Sequence, residues 1–306
     1  MSKRVALLCG GTSGERDISL SSAAAVEEAL RKKYEVFKID TGKDGWATTL
    51  LELNVDGAFI CLHGPVGEDG SIQGFCKSVG IPFTGSDVLA SAVAMDKSVA
   101  KQLVGAFGVK TPDYICIHDD NYDAAHIAKT LGQKVVVKPA TEGSALGVTI
   151  VEGLEELDKA VHAALSLSSS VLIERFVSGK ELTAAVLGGK NPQALPIIEI
   201  VPANEFYDFE SKYEQGMAQH ICPARLTDEE SATCGKLALA AHQALGCYSV
   251  SRSDFILDDD GNLWYLETNT IPGMTGTSLL PDAAKAVGMG FDELCWLIME
   301  DAWNRC

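Results

Sequence analysis

The sequence predicts an α/β protein that opens with a mostly parallel sheet, and three observations carry the prediction. Apolar strand-like runs alternate with helical stretches through the first third of the chain. The loops "GGTSGE" and "HGPVGEDGSIQG" follow two of those runs, at the carboxyl ends of strands where such sheets collect ligands. Further on, apolar runs are joined by short turn-rich segments, as in antiparallel hairpins.

Val5 to Cys9 reads as a buried strand, followed by the loop "GGTSGERD" and the helical stretch "ISLSSAAAVEEALRKK". A strand at Tyr34 to Lys38, a helix near Trp46 to Leu53 and a strand at Gly57 to Leu62 continue the βαβ alternation to about residue 95. Helical segments are expected around Ser86 to Phe107 and Asp123 to Leu131. The strand "KVVVKPA" enters a glycine loop, "TEGSALGVTIV"; a helix near Leu154 to Leu167 and the strand "SVLIERF" close a middle domain. The strand "ELTAAVL", the irregular stretch "ANEFYDFESKYEQG", a helix at Thr227 to Leu245 and a hairpin come next. A glycine-proline segment and a last helix at Asp292 to Trp303 finish the chain, which shows no internal repeat.

At 306 residues, 46% hydrophobic and 22% charged, the chain has enough apolar material for two or three domains. A formal charge of −17 excludes nucleic acid and anionic membrane as main partners, because both require basic surface. A bound polyanion must be met by a few local lysines. Nine cysteines form no CxxC pair, and an odd count suits reduced thiols better than a disulfide framework. The start "MSKRVALLCGG" is too short in apolar residues for a signal peptide, so a soluble cytoplasmic protein is expected.

The hairpin "RSDFILDDDGNLWYLETNT" raises a chemical question. With Asp259 to Asn262 as its loop, Asp258 faces Leu263 and Asp254 falls opposite Glu267. Glu267 and Asn269, two apart, share a face. Opposed carboxylates repel, and a hard divalent cation with oxygen ligands would relieve them; a solvated acidic hairpin is the other reading. The loop "GSALG" lacks the GxxxxGK[ST] of a P-loop and the GxGxxG of a dinucleotide site. It reads as a turn between antiparallel strands with backbone N–H groups free for an anion, and Lys138 adds a cation beside it. Loop, lysine and acidic hairpin together are what a nucleoside triphosphate with Mg²⁺ requires.

The segments "GGTSGERDISLSS", "LHGPVGEDGSIQG", "MDKSVAK", "VVVKPATEGSALG", "IERFVSGKEL", "FYDFESKY", "SRSDF" and "LETNTIPGMTGTSLLP" run in the order and spacing of a known family. Over nearly its whole length the chain resembles the D-alanine–D-alanine ligases of the ATP-grasp superfamily. One departure is visible. The family's glycine loop commonly carries two serines followed by valine, whereas Ala145 and Leu146 follow Ser144 here, removing one hydroxyl donor.

The resemblance implies a three-domain ATP-grasp fold: an N-terminal α/β substrate domain (1–96), a central subdomain (97–178) and a C-terminal subdomain with the metal and oxyanion site (179–306). It implies ATP-driven phosphorylation of one D-alanine and attack of a second on the acyl phosphate, giving D-alanyl-D-alanine for peptidoglycan precursors. In family terms Lys97 and Lys138 meet the α- and β-phosphates, and Lys212 meets the transferred γ-phosphoryl group. Asp254, Glu267 and Asn269 hold two Mg²⁺ (or Mn²⁺). Glu174 and Glu181 address the adenine amine and ribose, with the backbone of Phe176 and Val177 at the adenine edge. Glu15 binds the first ammonium within a set containing Ser144 and Tyr213, and Arg252 and the Gly273 N–H stabilise the oxyanion. His63 lies at the D-alanine subsites, and Ser278 with Leu279 anchors the second carboxylate. A homodimer is expected. From the residues alone, Glu15 is equally a helix-terminal charge, His63 a loop histidine and Ser278 a plain N-cap. Other readings are a D-alanine–D-lactate or D-alanine–D-serine ligase, an ATP-grasp ligase for other substrates, or a nucleotide-binding regulator without turnover.

Overall fold

The first strand has no polar face, and that places it at the centre of a parallel sheet. The computed structural model describes residues 2–202 and 218–305. Strand β1 (Arg4–Cys9), buried from Val5 onward, lies between the parallel strands β2 (Glu35–Asp40) and β3 (Gly57–Ile60). Helix α1 (Arg16–Arg31) buries Ser19, Ser22, Ala23, Val26, Ala29 and Leu30, a three-and-four spacing that gives one stripe. Helix α2 (Trp46–Glu52) follows β2. The second loop, "HGPVGEDGSIQG", runs into helix α3 (Ser71–Ser78) over its last residues.

The helical stretch expected over Ser86 to Phe107 is two helices, α4 (Val88–Met95) and α5 (Lys97–Ala106). Asp96 divides them. Its backbone is extended, and its carboxylate accepts from the backbone N–H groups of Ser98 (2.9 Å) and Val99 (3.1 Å), so the acid that caps α5 ends α4.

The middle of the chain forms β4 (Tyr114–Ile117), α6 (Ala124–Leu131), β5 (Lys134–Pro139), β6 (Thr149–Glu152), α7 (Leu154–Leu165) and β7 (Val171–Arg175). The four strands make an antiparallel sheet in the order β4-β7-β5-β6, and the glycine loop does join two antiparallel strands. Helices α6 and α7 pack Ile127, Leu131, Leu157 and Val161 against Val135, Val137 and Ile173. Strand alternation therefore turns Val136, Lys138 and Glu174 to the opposite face.

The last third contains β8 (Lys180–Leu187), β9 (Gln193–Ala194), β10 (Ile198–Pro202), β11 (Ala218–Ile221), α8 (Asp228–Ala244), β12 (Val250–Leu257) and β13 (Leu263–Asn269). Its sheet runs β11-β10-β8-β12-β13, with β9 paired to β8. Helices α9 (Leu279–Ala286) and α10 (Phe291–Asn304) close the chain. Helix α10 returns to the first domain: Trp296 Nε1 donates to Ala29 O (3.0 Å) and Trp303 Nε1 to Asp56 O (2.8 Å). One core cluster accordingly mixes Val5 and Leu7 with Leu187, Leu294 and Ile298. Among the described residues no helix is long and apolar enough to cross a membrane.

The first loop is held by charge. Arg16 forks the Asp40 carboxylate (Nη1 2.8 Å, Nη2 2.6 Å) and donates to Gly11 O at 2.8 Å. The guanidinium holds the Asp40 carboxyl at about 2, below its usual value near 4. A group depressed in this way stabilises the fold above its unfolded pKa and loses that contribution as pH falls through about 2. Asp40→Asn is therefore expected to cost about 1 kcal/mol at pH 7, screening included, with the difference disappearing between about pH 4 and 2. Denaturant unfolding of both proteins across that range checks it.

Candidate active site

Strands β12 and β13 pair Leu257 with Leu263 and Phe255 with Tyr265, so residues 258–262 form the loop, one more than the sequence suggests. Continued unbroken, that register would set Asp254 opposite Leu266 and Glu267 opposite Ser253, putting the two acids on different faces. A β-bulge between Asp254 and Phe255 shifts it by one, and Asp254 does face Glu267. The expected pairing arises from two displacements that cancel.

Each acid has a cation. Arg252 forks Asp254 through Nε and Nη2, both at 3.1 Å, and Thr183 of β8 donates to Asp254 Oδ1 at 2.6 Å. Lys97 Nζ lies 3.2 Å from Glu267 Oε2 and donates to Glu142 O at 2.5 Å. Asn269 Oδ1 accepts from Ile271 N–H at 2.8 Å, leaving a second lone pair. Among the described residues no three His, Cys, Asp or Glu side chains cluster as metal ligands. Two carboxylates and an amide, all oxygen donors, fit Mg²⁺ or Mn²⁺ rather than a soft metal.

Glu15, His63, Ser144, Arg252, Gly273 and Ser278 line one cleft with Leu279 and the three oxygen-bearing residues of the hairpin. Glu15 stands at the N-cap of α1 without capping it; instead its carboxylate accepts from the Ser144 hydroxyl, tying the first loop to the glycine loop. Close approach favours glycine at two positions. A Cβ on Gly64 would lie 2.7 Å from Glu15 Oε2, and one on Gly143 3.1 Å away. Ser144 and Ala145 both adopt left-handed backbone (φ +53 and +58), which L-residues rarely take.

His63 is buried, and burial first, then Arg252, pushes its ring down to about 4, so it is neutral at physiological pH. Its Nε2 is buried without a partner in the described structure. Ser278 occupies the N-cap of α9 but does not cap it; its Oγ accepts from Thr275 N–H at 2.9 Å and shares a hydrogen bond with the Thr275 hydroxyl at 2.8 Å. A Cβ on Gly273 would come within 2.8 Å of that Oγ, so glycine lets the Ser278 hydroxyl approach closely.

A second cleft is lined by Lys138, Glu174, Phe176, Val177 and Glu181, with Val136, Leu146 and Ile256 supplying apolar wall. Lys97, Asp254 and Glu267 belong to both clefts. Lys212 and Tyr213 lie outside the described residues.

Two residues escape sequence reasoning. Glu68 lines the first cleft, accepts from Gly64 N–H at 2.7 Å, and is pushed up to about 8 by burial and by Glu15. In "GPVGEDG" nothing separates it from Asp69, which merely accepts from the backbone at Val66 and Ser71. Lys101 is fully buried against Glu174; its spacing of four from Lys97 on α5 was the available signal.

Residues 103–300 match the model of the D-ala D-ala ligase C-terminus, and residues 4–53 and 44–86 that of the D-ala D-ala ligase N-terminus. The chain belongs to the D-alanine–D-alanine ligase family. Similar members include the D-alanine–D-alanine ligase of Desulforudis audaxviator, 46% identical over 308 residues and covered end to end in both chains. That of Carboxydothermus hydrogenoformans is 46% identical over 298 residues, 95% of each chain. Among solved structures, the Bacillus anthracis D-alanine–D-alanine ligase superposes with TM-score 0.88 at 34% identity, over 99% of this chain and 98% of that one. The same enzyme complexed with ATP gives 0.86 at 33% identity, with the same coverage. The VanG D-Ala:D-Ser ligase of Enterococcus faecalis gives 0.85 at 29%, over 99% and 100%. The fold is the ATP-grasp arrangement of this family.

Gly64→Ala is expected to displace the Glu15 carboxylate and strain a left-handed turn (φ +71). It should lower kcat/KM for D-alanine about tenfold or more and cost roughly 1 kcal/mol of stability. Steady-state kinetics and thermal unfolding check both.

Proposed function

We infer that the chain joins two D-alanines into D-alanyl-D-alanine at the expense of ATP, through a D-alanyl phosphate. One observation carries the reading: a cleft lined by Glu15, Arg252 and Ser278 and a cleft lined by Lys138, Glu174 and Glu181 meet at Lys97, Asp254 and Glu267. An acyl phosphate needs that meeting point, because it forms where a substrate carboxylate reaches the terminal phosphate. In-line transfer between two anions requires neutralised charge.

Lys97 and Lys138 are assigned to the α- and β-phosphates and Lys212 to the γ-phosphoryl group. Asp254, Glu267 and Asn269 would hold two Mg²⁺ (or Mn²⁺), with Glu267 bridging, and bound ions would offset charge on the terminal phosphates. Glu174 is assigned to the adenine amine, Glu181 to the ribose, and the backbone of Phe176 and Val177 to the adenine edge. Glu15, steadied by Ser144 and joined with Tyr213, takes the first ammonium. Arg252 and the Gly273 N–H meet the tetrahedral oxyanion, where donors aimed at developing charge are most effective. His63 serves the D-alanine subsites as a neutral ring, and Ser278 with Leu279 the second carboxylate.

The working units are 1–96, 97–178 and 179–306, with one sheet in each. A homodimer in the cytoplasm is proposed, the compartment resting on eight free described cysteines. The D-Ala:D-Ser reading rests on a structural neighbour at 29% identity. Relatives at 42–46% identity named D-alanine–D-alanine ligase favour D-alanine.

Glu267→Gln should abolish nearly all turnover while the protein stays folded. The variant removes the repulsion with Asp254 but also the anion that buried Lys97 faces, two opposed effects, so stability should change by no more than about 2 kcal/mol. Near-wild-type activity at saturating Mg²⁺ would refute the metal assignment. The second substrate must attack as an amine, so dipeptide formation should rise from about pH 6 to 9. Mass spectrometry of D-alanine plus D-lactate at pH 6 should find little or no ester; efficient ester formation would identify a sister ligase instead.

A further inference from the structure

Lys101 belongs to the motif "MDKSVAK", of which the reaction above uses only Lys97. Four residues apart on α5, the two lysines leave the same helix face. The Lys101 side chain is 0% exposed. Its ammonium meets Glu174 Oε1 at 2.5 Å, Thr111 Oγ1 at 2.7 Å and the backbone oxygen of Tyr265 at 3.1 Å, joining three segments of chain. Lys138 Nζ takes the other Glu174 oxygen, also at 2.5 Å. Lys138 and Glu174 line the nucleotide slot, and Lys101 stands behind them.

One buried carboxylate thus serves two lysines. A plain core ion pair needs a single cation, and a surplus positive charge in a buried place is costly unless an anion joins it. Burial pushes Glu174 up, but Lys101 and Lys138 outweigh it and hold the carboxyl below its usual range. The second lysine is explained if Lys138, at the end of β5 before the glycine loop, must give its charge to phosphate while Glu174 stays fixed.

We propose that Lys101 is a positioning residue for nucleotide selection, holding the Glu174 carboxylate from behind so that it accepts from the purine amine while Lys138 faces the phosphates. This rests on the assignment of Glu174 to adenine made above. Without Lys101, Lys138 becomes the sole counter-ion of Glu174, which draws the carboxylate off the amine and the ammonium off the phosphates.

Lys101→Met removes the charge and keeps the stem. KM for ATP should rise at least tenfold, and the preference for ATP over inosine triphosphate, whose ring carries a carbonyl in place of the amine, should fall at least tenfold. KM for both D-alanines should stay within twofold, and Lys101→Arg should restore most of the preference. A folded Lys101→Met enzyme with unchanged ATP KM and preference overturns the proposal, as do equal losses toward every substrate. Glu174→Gln separates the two assignments, since an amide presents either a donor or an acceptor and should erase the preference. If Glu174→Gln keeps it, the adenine reading fails, and the proposal with it. If Glu174→Gln loses it and Lys101→Met does not, only the role of Lys101 fails. Should Lys101→Met not fold, Lys101→Met combined with Glu174→Gln removes both charges of the pair. Its ATP KM and preference should equal those of Glu174→Gln alone, and a further tenfold loss would overturn the proposal.

Discussion

Asp254 and Glu267 face each other across β12 and β13, where opposed side chains stand about 5 Å apart and like charges repel. The surroundings are arranged to contain that repulsion. Arg252 forks one acid, Lys97 pairs with the other, and the Thr183 hydroxyl adds a donor from the neighbouring strand. These compensating groups come from β8, β12 and α5, so the repulsion is contained only when α5 and the last sheet are packed together. The arrangement is poised rather than finished: charge balanced by side chains can be rebalanced by a divalent ion and polyphosphate.

The same economy of charge extends to both sides of the pair. Toward the nucleotide slot, Glu174 sits between two lysines. On the side of the first cleft, Glu15 accepts from Ser144, and burial and Glu15 push the Glu68 carboxyl well above its usual range. A carboxyl that resists ionisation beside another lessens a second repulsion without a second cation. Backbone geometry makes these contacts possible. Lys97 N–H donates to Ala140 O at 2.9 Å, pinning the start of α5 to the strand that carries Lys138. Glycines at 64 and 143 let Glu15 approach both loops.

Much of this was legible in the sequence because the signals were local. Alternation of strand and helix placed the parallel sheet, and the turn-rich "DDGN" located the hairpin, whereas the break at Asp96 went unread. The proposed ligand set was drawn mainly from the order of the motifs. What stayed hidden depends on packing. The bulge that brings Glu267 opposite Asp254 leaves no compositional mark, and the correct pairing followed from a loop taken one residue too short. Ser278 stands at an N-cap, yet its hydroxyl oxygen accepts from Thr275, a choice between local N–H donors that only the fold decides. Glu68 and Lys101 look like surface charges in the sequence, and their burial is a property of the assembled chain.

The central claim is that the opposed acids of the hairpin form a divalent-cation site. Electron paramagnetic resonance of Mn²⁺ titrated into the protein with a non-hydrolysable ATP analogue and D-alanine tests it most directly. The account predicts two bound ions in the wild-type complex and the loss of at least one in Asp254→Asn, with the nucleotide still bound. Unchanged stoichiometry and affinity in that variant would contradict it.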